Sequence, residues 1–220
     1  MKFYTFFNTD ELNTIGDYPQ IEKSENYNLS SPDSYWNVPW NQFPNFKPLY
    51  SIKIRDKALN TNFLHSLPGF KGLTIDDNLK NIIEKFNLPP HQFYKIEVVH
   101  RNQELKYHWF HFIESLLGYI DFEKTTFELF QKWPLTVLKE IKVSSIEELH
   151  KLEVELNFEK EILIKKIALL DTFPNYDIIS LNNITPLILV SEKLKKTLEE
   201  SELKGFEFKE YKQLVMMEQK

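Results

Sequence analysis

Two histidines three positions apart, His108 and His111, are the nearest this chain comes to a metal pair, and Glu97 is spaced to lie opposite His108 across a hairpin. Imidazole and carboxylate are the side chains of metal ligation and acid–base work. The spacing argues against that use, because positions i and i+3 of a strand point to opposite faces. An exposed Glu–His pair is then an ordinary surface ion pair. The acidic pairs Asp76-Asp77 and Asp121-x-Glu123 fall at predicted element ends, where capping and turn formation account for them. Glycine occurs only 5 times and builds no phosphate loop; there is no Gly-x-Ser-x-Gly elbow and no His-Glu-x-x-His helix. The lack of cysteine removes disulfides, thiolate zinc sites and cysteine nucleophiles together. These residues predict no enzyme, no metal and no cofactor.

The elements that would position any site follow from pattern. With 220 residues, 42% of them hydrophobic and 27% charged, the chain can bury the core of one large domain or two small ones. Leu79, Ile82, Ile83 and Phe86 form the stripe of a helix over 76–87, favoured at its start by Asp76 and Asp77 and stopped by Pro89-Pro90. Two alternating segments, 92–100 and 105–112, joined by Arg101-Asn-Gln-Glu104, read as a hairpin. With a two-residue loop, Tyr94, Ile96, Val98, Leu105, Tyr107 and Trp109 share one face, the better core candidate. Ser144-Ser145-Ile-Glu147-Glu148 holds two overlapping capping boxes ahead of a helix striped by Ile146, Leu149, Leu152 and Leu156. A strand is expected over 162–169. Pro186-Leu-Ile-Leu-Val190 reads as a strand buried on both faces, Ser191 as the cap of a helix over 191–203, and Gly205 as its close before a strand over 206–210. The expected fold is α+β: one mixed sheet with a central hairpin, the 187–190 and 206–210 strands, and amphipathic helices packed on it.

Residues 1–70 differ in texture. A candidate strand over 2–7 leads into a polar stretch rich in Asn, Ser and Asp. Then the segment from Tyr35 to Tyr50 packs six aromatics and three prolines into sixteen residues. Prolines at that density exclude a helix. The segment reads as a long ordered loop, followed by a strand over 50–54. Its rings either cap the edge of the core or present a binding surface, since Trp and Tyr are favoured interface anchors. The candidate partner-binding residues are Tyr35, Trp36, Trp40, Phe43 and Phe46. The expected organisation is an N-terminal segment, 1–70, packed on a core spanning 71–220.

One internal correspondence runs without gaps at an offset of 115. Leu79, Lys80, Ile83, Glu84, Leu88 and Phe93 match Leu194, Lys195, Leu198, Glu199, Leu203 and Phe208. Shared periodicity of two capped helix–strand units explains this, and so does a duplicated unit giving a pseudo-symmetric sheet.

Charge narrows the partners. The net charge is −5, and arginine occurs only as Arg55 and Arg101. Nucleic-acid grooves draw on arginine for bidentate contacts, so DNA and RNA are disfavoured. Lysines interleaved with glutamates make a solvated surface, and a mildly acidic one suits a basic protein partner. The start, Met1-Lys-Phe-Tyr-Thr-Phe-Phe7, reaches Asp10 and Glu11 too soon for a signal-peptide core, and no apolar run is long enough to span a bilayer. The expectation is a cytoplasmic protein with no membrane partner.

Four segments carry a resemblance: Asp77-Asn-Leu-Lys-Asn-Ile-Ile-Glu-Lys-Phe-Asn-Leu-Pro-Pro-His-Gln-Phe-Tyr94, Tyr107-His-Trp-Phe-His-Phe112, Ile120-Asp-Phe-Glu-Lys124, and Val190-Ser-Glu-Lys-Leu through Gly205-Phe-Glu-Phe208. Together, over residues 74–211, they resemble a family of bacterial immunity proteins from polymorphic toxin systems. The resemblance implies an α+β protein that binds and neutralises a co-encoded toxin, with no catalytic residues and no cofactor. A structural or adaptor module of a secretion apparatus would share the same composition.

Overall fold

The structure, a computed structural model, describes residues 2–113, 116–181 and 187–215. Its first half contains β1 (Phe3–Asn8), α1 (Leu12–Ile15), β2 (Ile21–Lys23), β3 (Ser51–Ile54), β4 (Phe63–Leu64), β5 (Leu73–Asp76), α2 (Asp77–Ile83), β6 (His91–His100) and β7 (Gln103–Phe112). The second half contains β8 (Thr126–Lys132), β9 (Leu135–Ile141), α3 (Ile146–Glu155), β10 (Lys160–Ala168), β11 (Ile178–Ser180), β12 (Ile188–Ser191), α4 (Glu192–Glu199), β13 (Phe206–Glu210) and β14 (Leu214–Val215). The fold is mixed α and β, and mostly sheet. Pro186, where the predicted apolar run opens, lies outside the described residues.

The strands do not form the single sheet expected. They form three: β2-β3-β6-β7-β5-β4, β11-β12-β1-β13, and β14-β10-β8-β9. β1 inserts between β12 and β13, Tyr4 facing Val190 on one side and Phe6 facing Phe208 on the other, so the 187–190 and 206–210 strands build on β1 and not on the hairpin. Residues 1–70 contribute strands to two of the sheets, β1 lying inside one and β2, β3 and β4 belonging to another.

The hairpin register is the one a two-residue loop gives. Val98 faces Leu105, Ile96 faces Tyr107 and Tyr94 faces Trp109. Arg101 and Asn102 both take left-handed φ, 49° and 64°, the geometry that matches strand twist in such tight loops. The expected face packs into one core with Tyr35, Tyr50, Ile52 and Ile54. The opposite face is buried too: Phe93, Phe110 and Phe112 meet Leu79 and Ile83 of α2 and Leu194 and Leu198 of α4 in a second core.

The offset of 115 is structural, and it extends further than the matched letters. Phe63 pairs with Ile75 as Ile178 pairs with Val190, and Leu64 with Thr74 as Ile179 with Leu189. Asp76 caps α2 by accepting from the Leu79 amide (2.9 Å), and Ser191 caps α4 by accepting from Leu194 (3.2 Å). Lys80 bridges Glu84 and sits 4.8 Å from the Phe93 ring; Lys195 bridges Glu199 and sits 5.8 Å from Phe208. Each unit is a split β–α–β whose parallel strands flank an antiparallel one, β7 in the first and β1 in the second. Phe110 on β7 stacks on Phe93 at 4.8 Å, and Phe6 on β1 stacks on Phe208 at 5.4 Å, both at 17°.

Asn62 and Asp177, also 115 apart, lock the units together reciprocally. Asn62 Nδ2 donates to its own unit's cap, Asp76 (2.7 Å), while Asn62 Oδ1 accepts from Lys204 N beyond the other unit's helix (2.7 Å). Asp177 accepts from its own unit's cap, the Ser191 hydroxyl (2.6 Å), and from Asn87 N beyond the first unit's helix (2.9 Å). The pairing is matched by chemistry: a carboxylate cap meets an amide donor, and a hydroxyl cap meets a carboxylate acceptor. This capture also explains why α2 ends at Ile83 rather than near residue 87. Lys85 and Phe86 bond back to the carbonyls of Ile82 and Ile83 in a tightened last turn, and Asn87 is taken by Asp177.

Region 116–169 joins a third core, where Leu116, Ile120 and Ile167 meet Phe3, Ile179 and Leu189, and builds a fourth with β8 and β10. Ser145 caps α3 through Glu148 N (3.2 Å), and Glu148 reaches back to Ser144 N (2.7 Å). Leu149 and Leu152 then pack on Phe127, Ile162 and Ile164.

The clamp yields a directional test. Asn62→Asp keeps the acceptor for Lys204 N but sets two carboxylates together, and is expected to cost about 1–3 kcal/mol in urea unfolding. Adding Asp76→Ser recreates the Asp177–Ser191 chemistry and is expected to recover most of that loss, a coupling visible in a double-mutant cycle. Equal additive losses would show that the two clamps are not equivalent.

Candidate functional site

The aromatic segment is built outward from a buried hydroxyl network. Tyr27 OH bonds the Ser34 hydroxyl (2.9 Å) and the Leu49 carbonyl (2.8 Å), tying both ends of the segment to one side chain. Tyr35 N donates to Leu49 O and Leu49 N to Asp33 O, closing the base of the loop. Ser34 caps a short 3-10 turn at Tyr35–Asn37 by accepting from Trp36 N (3.2 Å). Lys71 Nζ donates to Val38 O (2.7 Å), and burial lowers that lysine's pKa.

The five predicted contact residues separate into two groups. Tyr35 is a core residue at 2% exposure, and so is corrected from contact to anchor. Its ring packs edge-on to Tyr50 at 4.9 Å and its hydroxyl donates to Pro68 O (2.9 Å). Burial first, and then Tyr27, push its pKa up to about 12, so it stays a neutral donor. Phe46 packs against the same core, and Phe43 sets its edge on the His111 ring at 5.7 Å; both pin the loop. Trp36 and Trp40 remain outside, 55% and 43% exposed. The Trp36 ring rests on Gly69 so closely that a Cβ there would come within 2.5 Å of it, and Gly69 has a φ of 73°, so that position requires glycine twice over.

His111 sits directly beneath. It is 1% exposed, neither ring nitrogen has a hydrogen-bond partner, and the ring is enclosed by Phe43, Trp109 (5.0 Å) and Tyr94 (6.3 Å). Burial, then the Lys71 ammonium, push its pKa down to about 4; the Pro39 carbonyl, outside hydrogen-bond geometry, opposes this only in part. His108 faces the other way, as its spacing predicts. It pairs not with Glu97 but with Asp77 at 2.6 Å, because the register sets Glu97 opposite Lys106 and Lys95 opposite His108. Hydrogen bonding to His108 holds Asp77 below the usual carboxylate range. Among the described residues no group of three or more His, Asp or Glu side chains is placed to hold a metal ion, and no helix is long and apolar enough to cross a membrane.

Sequence reading missed two features. Gly69 and Lys71 shape the tryptophan loop from a turn distant in sequence, and no local pattern marks them. The β8–β9 hairpin was legible in principle, since Trp133-Pro134 separates two runs of alternating residues. Its rim exposes Trp133 (78%) and Leu135 (74%), and among the described residues β9 has no partner on its outer edge.

The buried imidazole gives a pH test. His111 has an ordinary pKa of 6.5 when unfolded and about 4 when folded, so the unfolded chain takes up its proton first. Its contribution to stability is complete above pH 6.5 and is lost as pH falls from 6.5 towards 4, on the order of 3 kcal/mol in all. Denaturation midpoints are expected to fall across that window, and His111→Phe to flatten the fall; an unchanged slope in the variant would contradict the buried neutral ring. No protein-family model matches the chain, and no curated protein matches it.

Proposed function

We propose that the protein is an immunity protein, which binds a cognate protein toxin in the cytoplasm of the producing cell and neutralises it by occlusion, without a cofactor. In this reading the α+β frame, with the β6–β7 hairpin at its centre and amphipathic α2 and α4 packed on it, serves to hold one rigid aromatic surface. Trp36 and Trp40 make the contact; Tyr35, Phe43 and Phe46 set the loop. The observation that carries the proposal is the pairing of two exposed tryptophans with a loop base tied by buried hydrogen bonds. Large rings held in place before binding lose little entropy when a partner covers them. The net charge of −5 favours encounter with a basic toxin, and the resemblance of residues 74–211 points the same way.

A second reading, an adaptor module of a secretion apparatus, is favoured by the edge of β9, unpaired among the described residues, and the exposed Trp133 and Leu135 beside it. The two readings separate on one pair of variants. For immunity, the protein co-purifies with the product of the neighbouring toxin gene and rescues cells expressing it. Trp36→Ala or Trp40→Ala then weakens that complex by more than about 1 kcal/mol with the melting midpoint unchanged. For the adaptor, Leu135→Lys abolishes assembly while both tryptophan variants leave it intact. Failure both to bind the toxin and to rescue would remove the immunity reading.

A further inference from the structure

The duplication runs beyond the two β–α–β units. Ile52 pairs in parallel with Val98, and Ile167, 115 positions on, pairs in parallel with Leu214, a register one residue away. Arg55 N donates to Gln20 O and Ala58 N to Arg55 O; their counterparts Leu170 N and Phe173 N donate to Tyr119 O and Leu170 O. Thr9 N donates to Gly205 O (3.2 Å) as Ile113 N donates to Pro90 O (3.1 Å), which aligns Thr5, Phe6 and Phe7 of β1 with Trp109, Phe110 and His111 of β7. One long insertion falls at the same place in each half, residues 24–50 before β3 and residues 121–166 before Ile167. The first insertion lies over the outer face of the hairpin, with Val38 in the core beside Trp109 and Tyr94 and Phe43 edge-on to His111. The second folds instead as β8, β9, α3 and most of β10, around Phe127, Val143 and Leu149.

The matching seat on the second half is therefore only partly covered. Leu116 and Leu117 pack with Phe3, the counterpart of Tyr107. Beyond Phe3 the same face of β1 opens, for Phe7 is 41% exposed where its counterpart His111 is 1% exposed. Thr5 stands where the first half has Trp109, and Lys209 where it has Tyr94. A cavity of about 760 Å³ opens here, its lining including Thr5, Phe7, Leu187 and Lys209, with Phe63 and Gly72 reaching it from the first half. Its charged lining residues are Lys209, Lys212 and Glu210, a positive balance in a chain of net charge −5. An apolar floor with a cationic rim suits an apolar segment that carries carboxylates. We propose that this cleft seats an extended segment of a partner protein, bearing an aromatic ring flanked by acidic side chains, where the first half lays its own residues 38–46. The ring packs on Phe7 as Phe43 packs on His111, and Lys209 and Lys212 meet the carboxylates. The proposal stands whether or not that partner is a toxin.

The test follows backbone amide resonances of the full chain titrated with three synthetic peptides. One has the sequence of residues 38–46, one carries aspartate in place of both its asparagines, and one is the aspartate peptide with alanine for its tryptophan and phenylalanines. The expected result is saturable movement of the Phe7, Leu187 and Lys209 amides with the aspartate peptide while those of residues 36–47 hold still. Binding of the asparagine peptide is expected to be about three- to tenfold weaker, and the alanine peptide to move nothing. Phe7→Ala is expected to weaken the aspartate peptide about tenfold. Thr5→Trp, which sets the ring of Trp109 in the empty counterpart position, is expected to abolish binding without lowering the melting midpoint. That variant adds packing, so it keeps the test valid if Phe7→Ala loosens β1. No movement into the millimolar range, equal affinity for the aspartate and asparagine peptides, or unchanged affinity in Thr5→Trp overturns the proposal. So does a dimer in light scattering that Phe7→Ala dissociates, which would place a second copy of the chain in the cleft.

Discussion

The two β–α–β units are joined by a pair of hydrogen-bond clamps that tie each helix cap to the chain just past the other unit's helix. Asn62 and Asp177 each hold their own unit's cap by the side chain and receive the other unit's chain just past its helix. The backbone bonds are reciprocal as well: Asn62 N donates to Lys204 O, and Asp177 N to Asn87 O. Such a lock makes the two units fold as one, because neither helix start is fully satisfied without the end of the other. Charge assistance strengthens the Asp177 side, where a carboxylate at 6% exposure takes a hydroxyl and an amide.

From the clamps outward, the structure reaches the surface through the hairpin. With α2 and α4 locked, the second core fixes the Phe93–Phe110 face of β6 and β7, so the opposite face is presented in a set register. That face carries Trp109, whose indole donates to Lys71 O, and Lys71 in turn holds Val38. Tyr50, Phe70 and Tyr35 stack above it, and the loop bearing Trp36 and Trp40 is laid over this floor. The chain from clamp to exposed tryptophan is continuous packing, which gives the loop its rigidity although it contains almost no regular structure. His111 is the weak link in that floor, an unpartnered imidazole among rings.

Much of the local structure was legible in the residues. Ser191, Asp76 and Ser145 announce their helices through capping chemistry, and hairpin alternation with a two-residue turn gives the register down to individual pairs. What was not legible depends on contacts between distant segments. Nothing in Lys2–Phe7 reveals that it will enter between β12 and β13, so one sheet was expected where the chain builds separate ones. The offset of 115 showed at Leu79 and Leu194 but hid at Asn62 and Asp177, because unlike side chains there do equivalent work with donor and acceptor exchanged. In the aromatic segment composition suggested a surface, yet which ring faces outward is decided by the Ser34-capped turn, which buries Tyr35 and exposes its neighbour Trp36.

Hydrogen exchange on the complex with the proposed partner, a toxin encoded beside this chain, addresses the central claim most directly, since it reports both where such a partner lies and what stays rigid. The expected result is new protection at backbone amides of residues 36–47, with the amides of α2, α4 and the Asn62 and Asp177 clamps unchanged because they are already protected. Protection confined to β9 and the Trp133 rim, with the tryptophan loop exchanging as in the free protein, would contradict it.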